Sequence, residues 1–327
     1  MRCRSCKAKA AIELSDHNAA YCRGCFLRHC HRQVERTIEE FDMIHTGDRV
    51  LVAVSGGKDS LALWHILTEL GYSASGVYLN LGIGSYSDSS QEAAEKFAEE
   101  RGLQLEVVDL RYRYGFGIPE GSRVTPRPTC SLCGISKRHI LNQVAIEGGF
   151  DVLATGHNLD DEAASLLSNI LRWELDFLRR QYPVLPAGNG FAKKVKPLIR
   201  LSERETAAYC VLSGIHYIVE ECPLVSGNTQ LRYKDALALL ERNSPGTKRS
   251  FLFGYLSKGR RLFAEGLGPE DGEAALSDKG GLLNCSRCGY PTSGGAGEGE
   301  VVCAFCKESE RIRLRISPST KVANVEA

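Results

Sequence analysis

The sequence predicts an α/β fold, a doubly wound parallel sheet flanked by two small zinc ribbons. Three observations lead to this prediction. Apolar, strand-like runs alternate with helical stretches through the middle of the chain, a glycine-rich turn follows the first of these runs, and four CxxC pairs are divided between the two ends. With 43% hydrophobic and 25% charged residues, the composition is that of a globular protein and excludes wholesale disorder.

Charge and targeting signals narrow the class of protein. The 41 basic and 40 acidic side chains leave a net charge of +1, which favours no class of partner. No apolar run approaches the roughly 20 residues that cross a bilayer, and the N-terminal MRCRSCKAKA lacks the hydrophobic stretch of a secretory signal. We expect a cytoplasmic protein without membrane association. Because the cytosol keeps thiols reduced, the 13 cysteines indicate metal ligation rather than disulfides.

Two sets of four cysteines have the spacing of zinc ribbons, C-x2-C-x15-C-x2-C at the N-terminus and C-x2-C-x14-C-x2-C at the C-terminus. A CxxC turn directs two thiolates at one ion, and a hairpin brings in the second pair to close a tetrahedron. We expect two structural Zn²⁺ ions, one held by Cys3, Cys6, Cys22 and Cys25 and the other by Cys285, Cys288, Cys303 and Cys306. Alternative ligands at the first site are His17, His29, His31 and Cys30, although Cys30 is better explained as a packed thiol.

The ribbons and the shifts in composition divide the chain into five segments. These are an N-terminal ribbon at 1–31, a catalytic body at 32–265, a glycine-rich acidic linker at 266–281, a C-terminal ribbon at 282–316 and a flexible tail at 317–327. Within the body, strands are predicted near 49–54, 75–80, 104–109, 151–155 and 215–219. Ligands of such a sheet bind at the carboxyl ends of its strands.

The first predicted strand, RVLVAV, runs directly into SGGKDS and then into the helical LALWHILTEL. Strand, glycine turn and helix together predict an anion site, because the backbone can approach the anion and the helix N-terminus supplies positive potential. Ser55, Lys58 and Ser60 add donors, and Asp59 is placed where Mg²⁺ accompanying phosphates needs a carboxylate. A purely structural turn is the alternative, but it does not require hydroxyls at both ends of the motif.

SGGKDS resembles the PP-loop of the ATP pyrophosphatase superfamily, which splits ATP into AMP and pyrophosphate while adenylating a substrate oxygen. TGHNLDDEA (155–163) and KPLIRLSERE (196–205) resemble the second and third signatures of its tRNA thiolation branch. Paired terminal ribbons resemble the subgroup that includes the bacterial 2-thioribothymidine synthetases and the wobble-uridine thiolases. The resemblance covers nearly the whole chain. It implies ATP contacts at Ala53, Ser55, Gly56, Gly57, Lys58, Asp59, Ser60, Gly156 and Asp161.

The acidic run at the start of the second signature has two readings. Carboxylates suit the positive N-terminus of a helix, so capping explains one or two of Asp160, Asp161 and Glu162. Adenylation requires Mg²⁺ to neutralise charge as pyrophosphate leaves, and the resemblance makes Asp161, with Asp59, the catalytic candidate. The role of Asp160 stays open between these two readings.

Three further cysteines remain after the ribbons are assigned, namely Cys130, Cys133 and Cys222, whereas Cys210 lies in an apolar helix and is explained as core. Three thiolates leave an open ligand position, unlike a closed four-cysteine site, and iron–sulfur clusters are also held by thiolates. The resemblance implies a [4Fe–4S] cluster on these cysteines. A persulfide relay with a transient disulfide is the alternative.

Basic residues follow and flank these motifs. Lys137 lies one helical turn after Cys133, and the resemblance places it in the active site, whereas Arg138 is expected to be a solvated charge. Residues 1–36 carry eight Lys or Arg against three acidic residues, which predicts a local basic module for RNA phosphates. The basic clusters at 179–180, 193–196, 248–249 and 258–261 are each expected to be ordinary solvated surface.

These features predict a tRNA thiolation enzyme that adenylates the uridine 2-oxygen and replaces it with sulfur, with 5-methyluridine at tRNA position 54 as the favoured target. The alternatives are 2-thiolation of the wobble uridine at position 34 and a non-catalytic zinc-ribbon RNA-binding protein. Lysidine formation and glutamine-dependent amination do not need the three cysteines, and the terminal ribbons disfavour the cytidine-32 branch. The resemblance implies as partners tRNA, a ubiquitin-like sulfur carrier with a C-terminal thiocarboxylate, and a second copy of the chain.

Overall fold

The computed structural model describes residues 1–225, 229–264, 282–292 and 300–316. The predicted linker at 266–281 and the predicted tail at 317–327 lie outside the described residues. In the N-terminal half the elements are β1 (Ile12–Leu14), β2 (Ala19–Tyr21), α1 (Arg23–Glu40), β3 (Arg49–Val54), α2 (Lys58–Glu69), β4 (Ser73–Asn80), α3 (Gly84–Glu100), β5 (Leu105–Asp109), α4 (Leu110–Tyr114), α5 (Ile118–Val124) and α6 (Thr129–Glu147).

The second half continues the alternation and ends in the second ribbon. Its elements are β6 (Val152–Thr155), α7 (Leu159–Leu171), α8 (Leu175–Arg180), β7 (Val184–Leu185), β8 (Lys193–Val195), a 3₁₀ turn (Pro197–Arg200), α9 (Glu203–Ser213), α10 (Thr229–Asn243), α11 (Thr247–Gly254), a π-helical turn (Tyr255–Gly259), α12 (Arg260–Ala264), β9 (Leu283–Asn284), β10 (Pro291–Thr292) and α13 (Ala304–Ile316). None of the helices in the described ranges is both long enough and apolar enough to cross a membrane.

The central sheet has six strands in the order β5-β4-β3-β6-β8-β7, all parallel except the edge strand β7. The chain starts in the middle with β3, moves outward to β5, and then returns to the other side of β3 with β6. This reversal is the topological switch point of a doubly wound sheet, where a ligand crevice opens beyond the strand ends. The predicted fold class is confirmed.

One predicted strand is wrong. Residues 215–219 form no strand, and the remaining parallel position beside β6 is taken by the short β8. The segment IHYIV has the β-branched and aromatic composition of a strand, but it lies at the sheet's carboxyl end instead of in the ladder. There the Ile218 N–H donates a hydrogen bond to the Gly56 carbonyl oxygen at 3.0 Å. The segment therefore supports the glycine turn.

The two faces of the sheet carry separate cores, because alternate residues of a strand point to opposite sides. Val50, Val52 and Val54 of β3 pack in a core with α1, α2 and α9, whereas Leu51 packs in a core with α5, α6 and α13. The N-terminal ribbon joins the first core and the C-terminal ribbon joins the second. Helix α1 is continuous through residue 31, where the sequence places the boundary between ribbon and body.

Candidate functional site

The SGGKDS loop is closed by its two serines. The Ser55 N–H donates to Ser60 Oγ at 3.0 Å, the two hydroxyl oxygens lie 3.2 Å apart, and Ser60 Oγ donates to the Gly57 carbonyl oxygen at 3.0 Å. These bonds hold the loop between the end of β3 and the first turn of α2. The unpaired N–H groups at the start of α2 therefore lie at the switch point, as an anion site requires.

Two glycines allow close approach of the backbone here. Gly56 has φ of +74°, and a Cβ at this position would collide with the Ser90 carbonyl oxygen. A Cβ at Gly156 would lie 2.9 Å from the Ser60 nitrogen. The loop after β6 can thus pack directly on the start of α2, which brings the second signature against the first.

The carboxylates of Asp59 and Asp161 face the crevice from two different helices. Asp59 accepts hydrogen bonds from Asn158 Nδ2 at 3.0 Å and Thr206 Oγ1 at 2.5 Å. Burial raises the pKa of Asp59, with Lys58, Thr206 and Asn158 acting in the opposite direction. Its other oxygen, Oδ2, lies 3.2 Å from Lys58 Nζ at the wall of the crevice.

Asp161 has two roles at once. Its Oδ2 accepts the Asn158 N–H at 3.1 Å in a capping box for α7, while its Oδ1 lies 2.6 Å from Lys234 Nζ. The two neighbouring acids are held in other ion pairs. Asp160 contacts Lys248 Nζ at 2.5 Å, and Glu162 contacts Lys196 Nζ at 2.8 Å. Capping thus explains one oxygen of Asp161, and the other is paired with Lys234 at the wall of the crevice.

A cavity of about 460 Å³ lies between these loops and α6. Its wall includes seven of the residues predicted for catalysis or ATP binding, namely Ala53, Ser55, Asp59, Ser60, Lys137, Gly156 and Asp161. Gly56, Gly57 and Lys58 belong to the same loop, but the wall is formed by their neighbours. The volume is in the range of small-molecule and cofactor sites.

Further cavity residues were missed or misjudged from the sequence. Arg138 is exposed, as expected, and it also lines the cavity beside Lys137. Lys194 also lines it, and burial together with Lys196 and Arg138 lowers the pKa of Lys194 to about 8. Tyr86 belongs to the wall as well. Its sequence context, GSYSDSS, carries no signal that could have identified it.

The cluster 193–196 and the cluster 248–249 are not simple solvated surface. Lys193 Nζ donates to the Asp42 carbonyl oxygen at 2.8 Å, and Lys196 pairs with the buried Glu162. Arg249 donates to the Arg200 carbonyl oxygen at 2.8 Å. Sequence clustering could not reveal these contacts because each partner lies far away along the chain.

The three cysteines outside the ribbons are neighbours beside the cavity, although their sulfur atoms do not all lie within 4.8 Å of one another as those of each ribbon do. Cys130 and Cys133 lie in the first turns of α6, and Cys222, in the segment after α9, is close enough for its charge to act on Cys133. Burial raises the pKa of Cys133, and the charges of Cys222 and Cys130 raise it further, while Lys137 opposes them. Burial likewise raises the pKa of Tyr86, and the charges of Cys222 and Cys133 add to this shift. Tyr86 therefore lies between the cavity and the thiols.

Each predicted zinc ligand set is assembled. Within each set the four sulfur atoms lie within 4.8 Å of one another, with Cys6 and Cys22 Sγ at 3.5 Å and Cys288 and Cys303 Sγ at 3.8 Å. The N–H of Cys22 lowers the pKa of Cys3 to about 6, whereas burial and the neighbouring thiols raise the pKa of Cys25 to about 12. Four such thiols can all ionise only around a cation, so the donor chemistry fits Zn²⁺.

The alternative ligands at the N-terminus are used differently. His17 and His29 Nε2 lie 3.5 and 3.3 Å from Oε1 of the buried Glu205, outside the four-cysteine set. His31 Nε2 lies 2.7 Å from the Tyr209 hydroxyl, and Cys30 is fully buried, as a packed thiol should be. The histidines thus connect the ribbon to the third signature.

Comparison with known proteins places this geometry in a family. A family model described as a PP-loop domain matches residues 27–234. The chain is 50% identical to a tRNA-5-methyluridine(54) 2-sulfurtransferase of Thermus thermophilus, over 96% of this chain and 93% of that protein. It is 43% identical to the Pyrococcus horikoshii enzyme of the same name, over 94% of this chain and 93% of that protein.

A solved structure agrees with the sequence matches. The U34-tRNA thiolase NcsA from Methanococcus maripaludis, described with its [4Fe–4S] cluster, superposes with a TM-score of 0.72 at 31% identity, covering 83% of this chain and 90% of that chain. The resemblance inferred from the motifs is confirmed. With its PP-loop at the switch point and matches that span nearly its whole length, the chain belongs to the tRNA 2-thiolation family of PP-loop ATP pyrophosphatases.

Proposed function

We propose that this protein adenylates the 2-oxygen of 5-methyluridine at position 54 of tRNA and replaces that oxygen with sulfur. The observation that carries the proposal is that one helix belongs both to the PP-loop cavity and to the cysteine site. Helix α6 forms one wall of the cavity, and its first turns carry two of the three neighbouring thiols. A base in the cavity would therefore lie between the nucleotide and the place from which sulfur comes.

The first step makes a poor leaving group into a good one. The uridine 2-oxygen attacks the α-phosphorus of ATP, the bond to the β-phosphate oxygen breaks, and pyrophosphate leaves. The N–H groups at the start of α2, with Ser55, Ser60 and Lys58, bind the phosphates and hold the α-phosphate in line. Asp59 and Asp161 have the carboxylate oxygens that suit Mg²⁺, which when bound neutralises the charge that develops on pyrophosphate.

Lys137 provides the cation at the other side of the reacting atoms. It projects from α6 into the cavity wall, with Arg138 beside it and Lys194 on β8. We assign Lys137 to the α-phosphate and to the base oxygen, where it offsets negative charge in the transition state. In the second step sulfur attacks C2 of the base and AMP leaves with the former 2-oxygen.

Cys130, Cys133 and Cys222 fit an iron–sulfur cluster better than a closed zinc site, because three thiols leave one metal atom without a protein ligand. A [4Fe–4S] cluster bound there supplies an iron position that no cysteine fills, from which sulfur can be delivered. The similar Methanococcus maripaludis thiolase is described with such a cluster, which supports the assignment. The residues around it shield the thiols on one side, since Cys133 and Cys222 are only part-exposed.

The target position rests on the degree of similarity. The relatives named for position 54 reach 50% and 43% identity, whereas the thiolase named for uridine 34 reaches 31%. The uridine 34 activity is the second candidate, because that protein shares the fold over 90% of its length. A non-catalytic RNA-binding protein would have no use for the paired Asp59 and Asp161.

The partners follow from the same chemistry. We propose that each ribbon holds one Zn²⁺, that the basic N-terminal module contacts tRNA phosphates and that the protein works in the cytoplasm. A ubiquitin-like carrier with a C-terminal thiocarboxylate would supply sulfur at the exposed side of Cys130. We also propose a homodimer, for which the exposed apolar side chains Leu171, Trp173, Leu175 and Phe177 are a suitable surface.

The test is a reconstituted reaction followed by nucleoside analysis. Protein purified without oxygen is supplied with ATP, Mg²⁺, sulfide and tRNA transcripts that carry 5-methyluridine 54 or an unmodified wobble uridine. We expect 2-thio-5-methyluridine, with one AMP formed per thiolated base. Asp161→Asn and Cys222→Ala should each lower the rate by about 100-fold or more.

Metal analysis distinguishes the causes of the lower rate in the two variants. Cys222→Ala should lose most of its iron and still release pyrophosphate, whereas Asp161→Asn should keep its iron and release none. Cys30→Ala, which removes a buried thiol outside all three sets, is the matched control and should keep both. Thiolation of uridine 34 alone would replace the proposed target, and AMP formation without any thiolated base would contradict the sulfur step.

A further inference from the structure

Five side chains of alternating charge form a network along the edge of the proposed ATP site. Lys58 Nζ lies 3.2 Å from Asp59 Oδ2 and 2.7 Å from Glu203 Oε1. The other oxygen of Glu203 lies 3.3 Å from Lys234 Nζ, which contacts Asp161 Oδ1 at 2.6 Å. Glu203 thus holds two lysines, one beside each of the two carboxylates that face the crevice.

Lys234 is the member of this charged network that no sequence motif explains. It comes from α10, outside all three signatures, in the otherwise ordinary sequence LRYKDA. Its position mirrors that of Lys58, since each lysine shares Glu203 and pairs with one crevice carboxylate. Lys58 belongs to the PP-loop and is assigned to the phosphates. The symmetry of the contacts suggests the same kind of ligand for Lys234.

The neighbouring ion pair shows what a structural pair looks like here. Asp160 and Lys248 are adjacent in space to Asp161 and Lys234, and both side chains of that pair are only 12% exposed. Asp161 and Lys234 are 25% and 21% exposed, and Asp161 is part of the cavity wall. A pair that stays open at the edge of a cavity can exchange partners when a ligand enters, whereas the buried pair cannot.

Charge supplies the reason for an exchange. This charged network contains three carboxylates and two ammonium groups. Without a ligand the network therefore carries one net negative charge, which opposes the binding of a polyphosphate. Lys234 and a metal ion would compete for Oδ1 of Asp161, because two cations at one oxygen repel each other. Moving Lys234 from Asp161 to a phosphate oxygen frees the carboxylate and adds a positive charge next to the polyanion.

We propose that Lys234 is a ligand of the pyrophosphate portion of ATP, released from Asp161 when the magnesium nucleotide binds, with Glu203 as its positioning residue. This inference rests on the proposed function, because it assumes that the crevice holds ATP. It assigns a binding role on α10, the helix that follows the segment with Cys222.

The test measures binding rather than turnover. Dissociation constants for inorganic pyrophosphate, α,β-methylene-ATP and AMP, each with MgCl₂, are determined by calorimetry on the full-length protein in the absence of tRNA. In Lys234→Met we expect the constants for pyrophosphate and for the ATP analogue to rise by about tenfold or more, because a charge-assisted contact is lost. The constant for AMP should change by less than about twofold, since AMP lacks the pyrophosphate portion.

Two variants control for charge and for folding. Arg232→Met removes an exposed positive charge from the same helix and should leave all three constants unchanged. Lys234→Arg keeps the charge and should recover most of the lost affinity, which a purely structural role in packing would not predict. Circular dichroism establishes that each variant is folded as the wild type is.

The possible outcomes are distinct. Unchanged pyrophosphate affinity in Lys234→Met overturns the inference, and tighter binding overturns it too, because Lys234 would then only compete with the metal ion for Asp161. Wild-type protein that binds neither pyrophosphate nor the ATP analogue would instead overturn the proposed function. Equal losses for AMP and for pyrophosphate would assign Lys234 to the α-phosphate and reject the role proposed here.

Discussion

The two ribbons share one construction but support different halves of the site. In each, the first CxxC lies in the turn of an antiparallel pairing, Arg2 with Lys9 in one ribbon and β9 with β10 in the other, and the second CxxC lies at the start of a helix, α1 or α13. They pack on opposite faces of the central sheet. The N-terminal ribbon contacts Glu205 in the first turn of α9, whereas the C-terminal ribbon stacks Phe305 on His139 of α6.

The two ribbons therefore support different elements around the crevice. The first turn of α9 also carries Glu203 and Thr206, which contact Lys58 and Asp59 on the nucleotide side. Helix α6 carries Cys130, Cys133 and Lys137 on the sulfur side. Loss of one metal ion should therefore weaken nucleotide binding, and loss of the other should weaken the iron site.

The largest effect is expected from Cys25→Ser in the N-terminal ribbon. Without this ligand the site loses Zn²⁺, and the free energy of unfolding should fall by about 3 kcal/mol or more, because metal binding and folding are coupled. ATP affinity should fall with it, as α9 loses its support. Urea unfolding, zinc analysis and ATP calorimetry measure the three quantities. Cys30→Ala on the same helix should retain zinc. Normal ATP binding in zinc-free Cys25→Ser would contradict the claim that the N-terminal ribbon supports α9.

Cys303→Ser in the C-terminal ribbon should separate the two halves. We expect loss of the second Zn²⁺, a decrease of about 2 kcal/mol in stability, and reduced iron content, because α6 is no longer held by Phe305. ATP affinity should stay within about twofold of the wild type. Iron analysis and calorimetry on one preparation make the comparison. Should ATP affinity fall as far as in Cys25→Ser, the ribbons would not divide the functions.

A smaller effect is expected for Glu205→Gln, which weakens the contact between the first ribbon and α9. Burial opposes ionisation of Glu205, but His17, His29 and Ser202 outweigh it and hold its pKa well below the usual 4.5. A depressed pKa stabilises the fold above the unfolded value, and this contribution is lost as the pH falls through and below about 4.5. The variant should lose about 1–3 kcal/mol at pH 7 and less in acid.

Urea unfolding of both proteins at pH 7 and at pH 3 tests this difference. Both proteins lose zinc alike in acid. The change with pH in the difference between their free energies of unfolding therefore reports the charge of Glu205. An equal separation at the two pH values would show that the carboxylate charge plays no part in holding the ribbon.

The smallest effect is expected for His139→Phe at the second ribbon. His139 is 4% exposed and stacks on Phe305 with ring centroids 4.2 Å apart, and its Nδ1 has no hydrogen-bond partner among the residues that the structure describes. Phenylalanine keeps the stack and removes the unpaired nitrogen, so stability should change by less than about 1 kcal/mol. His139→Ala should cost about 3 kcal/mol. Thermal unfolding with iron analysis compares the two, and lost iron in a stable His139→Phe protein would argue for a chemical role.

Features with a local signal could be predicted from the sequence. The PP-loop is a motif of six consecutive residues, and the two residues between the cysteines of a CxxC pair fix the geometry of that pair. The sequence therefore locates both kinds of motif correctly. The segment at 215–219 was misjudged because strand composition records only a half-buried, extended backbone. Whether that backbone enters a ladder depends on neighbours elsewhere in the chain.

The charged network shows the other limit. Lys234 meets Asp161, Glu203 meets Lys58, and Lys248 meets Asp160 only after folding. Nothing in the spacing of these residues indicates the pairs. Lys194 is expected at the surface for the same reason, since a lysine on a surface and one in a cavity have the same local sequence.

Helix α6 has a consequence for how substrate must arrive. Its residues rise by about 1.5 Å each, so Cys133 and Lys137 are separated by about 6 Å along the axis. Two of the three proposed cluster ligands and Lys137 thus stand at a fixed spacing on one helix, so in the proposed mechanism neither group can move toward the other. The travelling component has to be the nucleic acid, whose base must leave its stack and enter a stationary workplace.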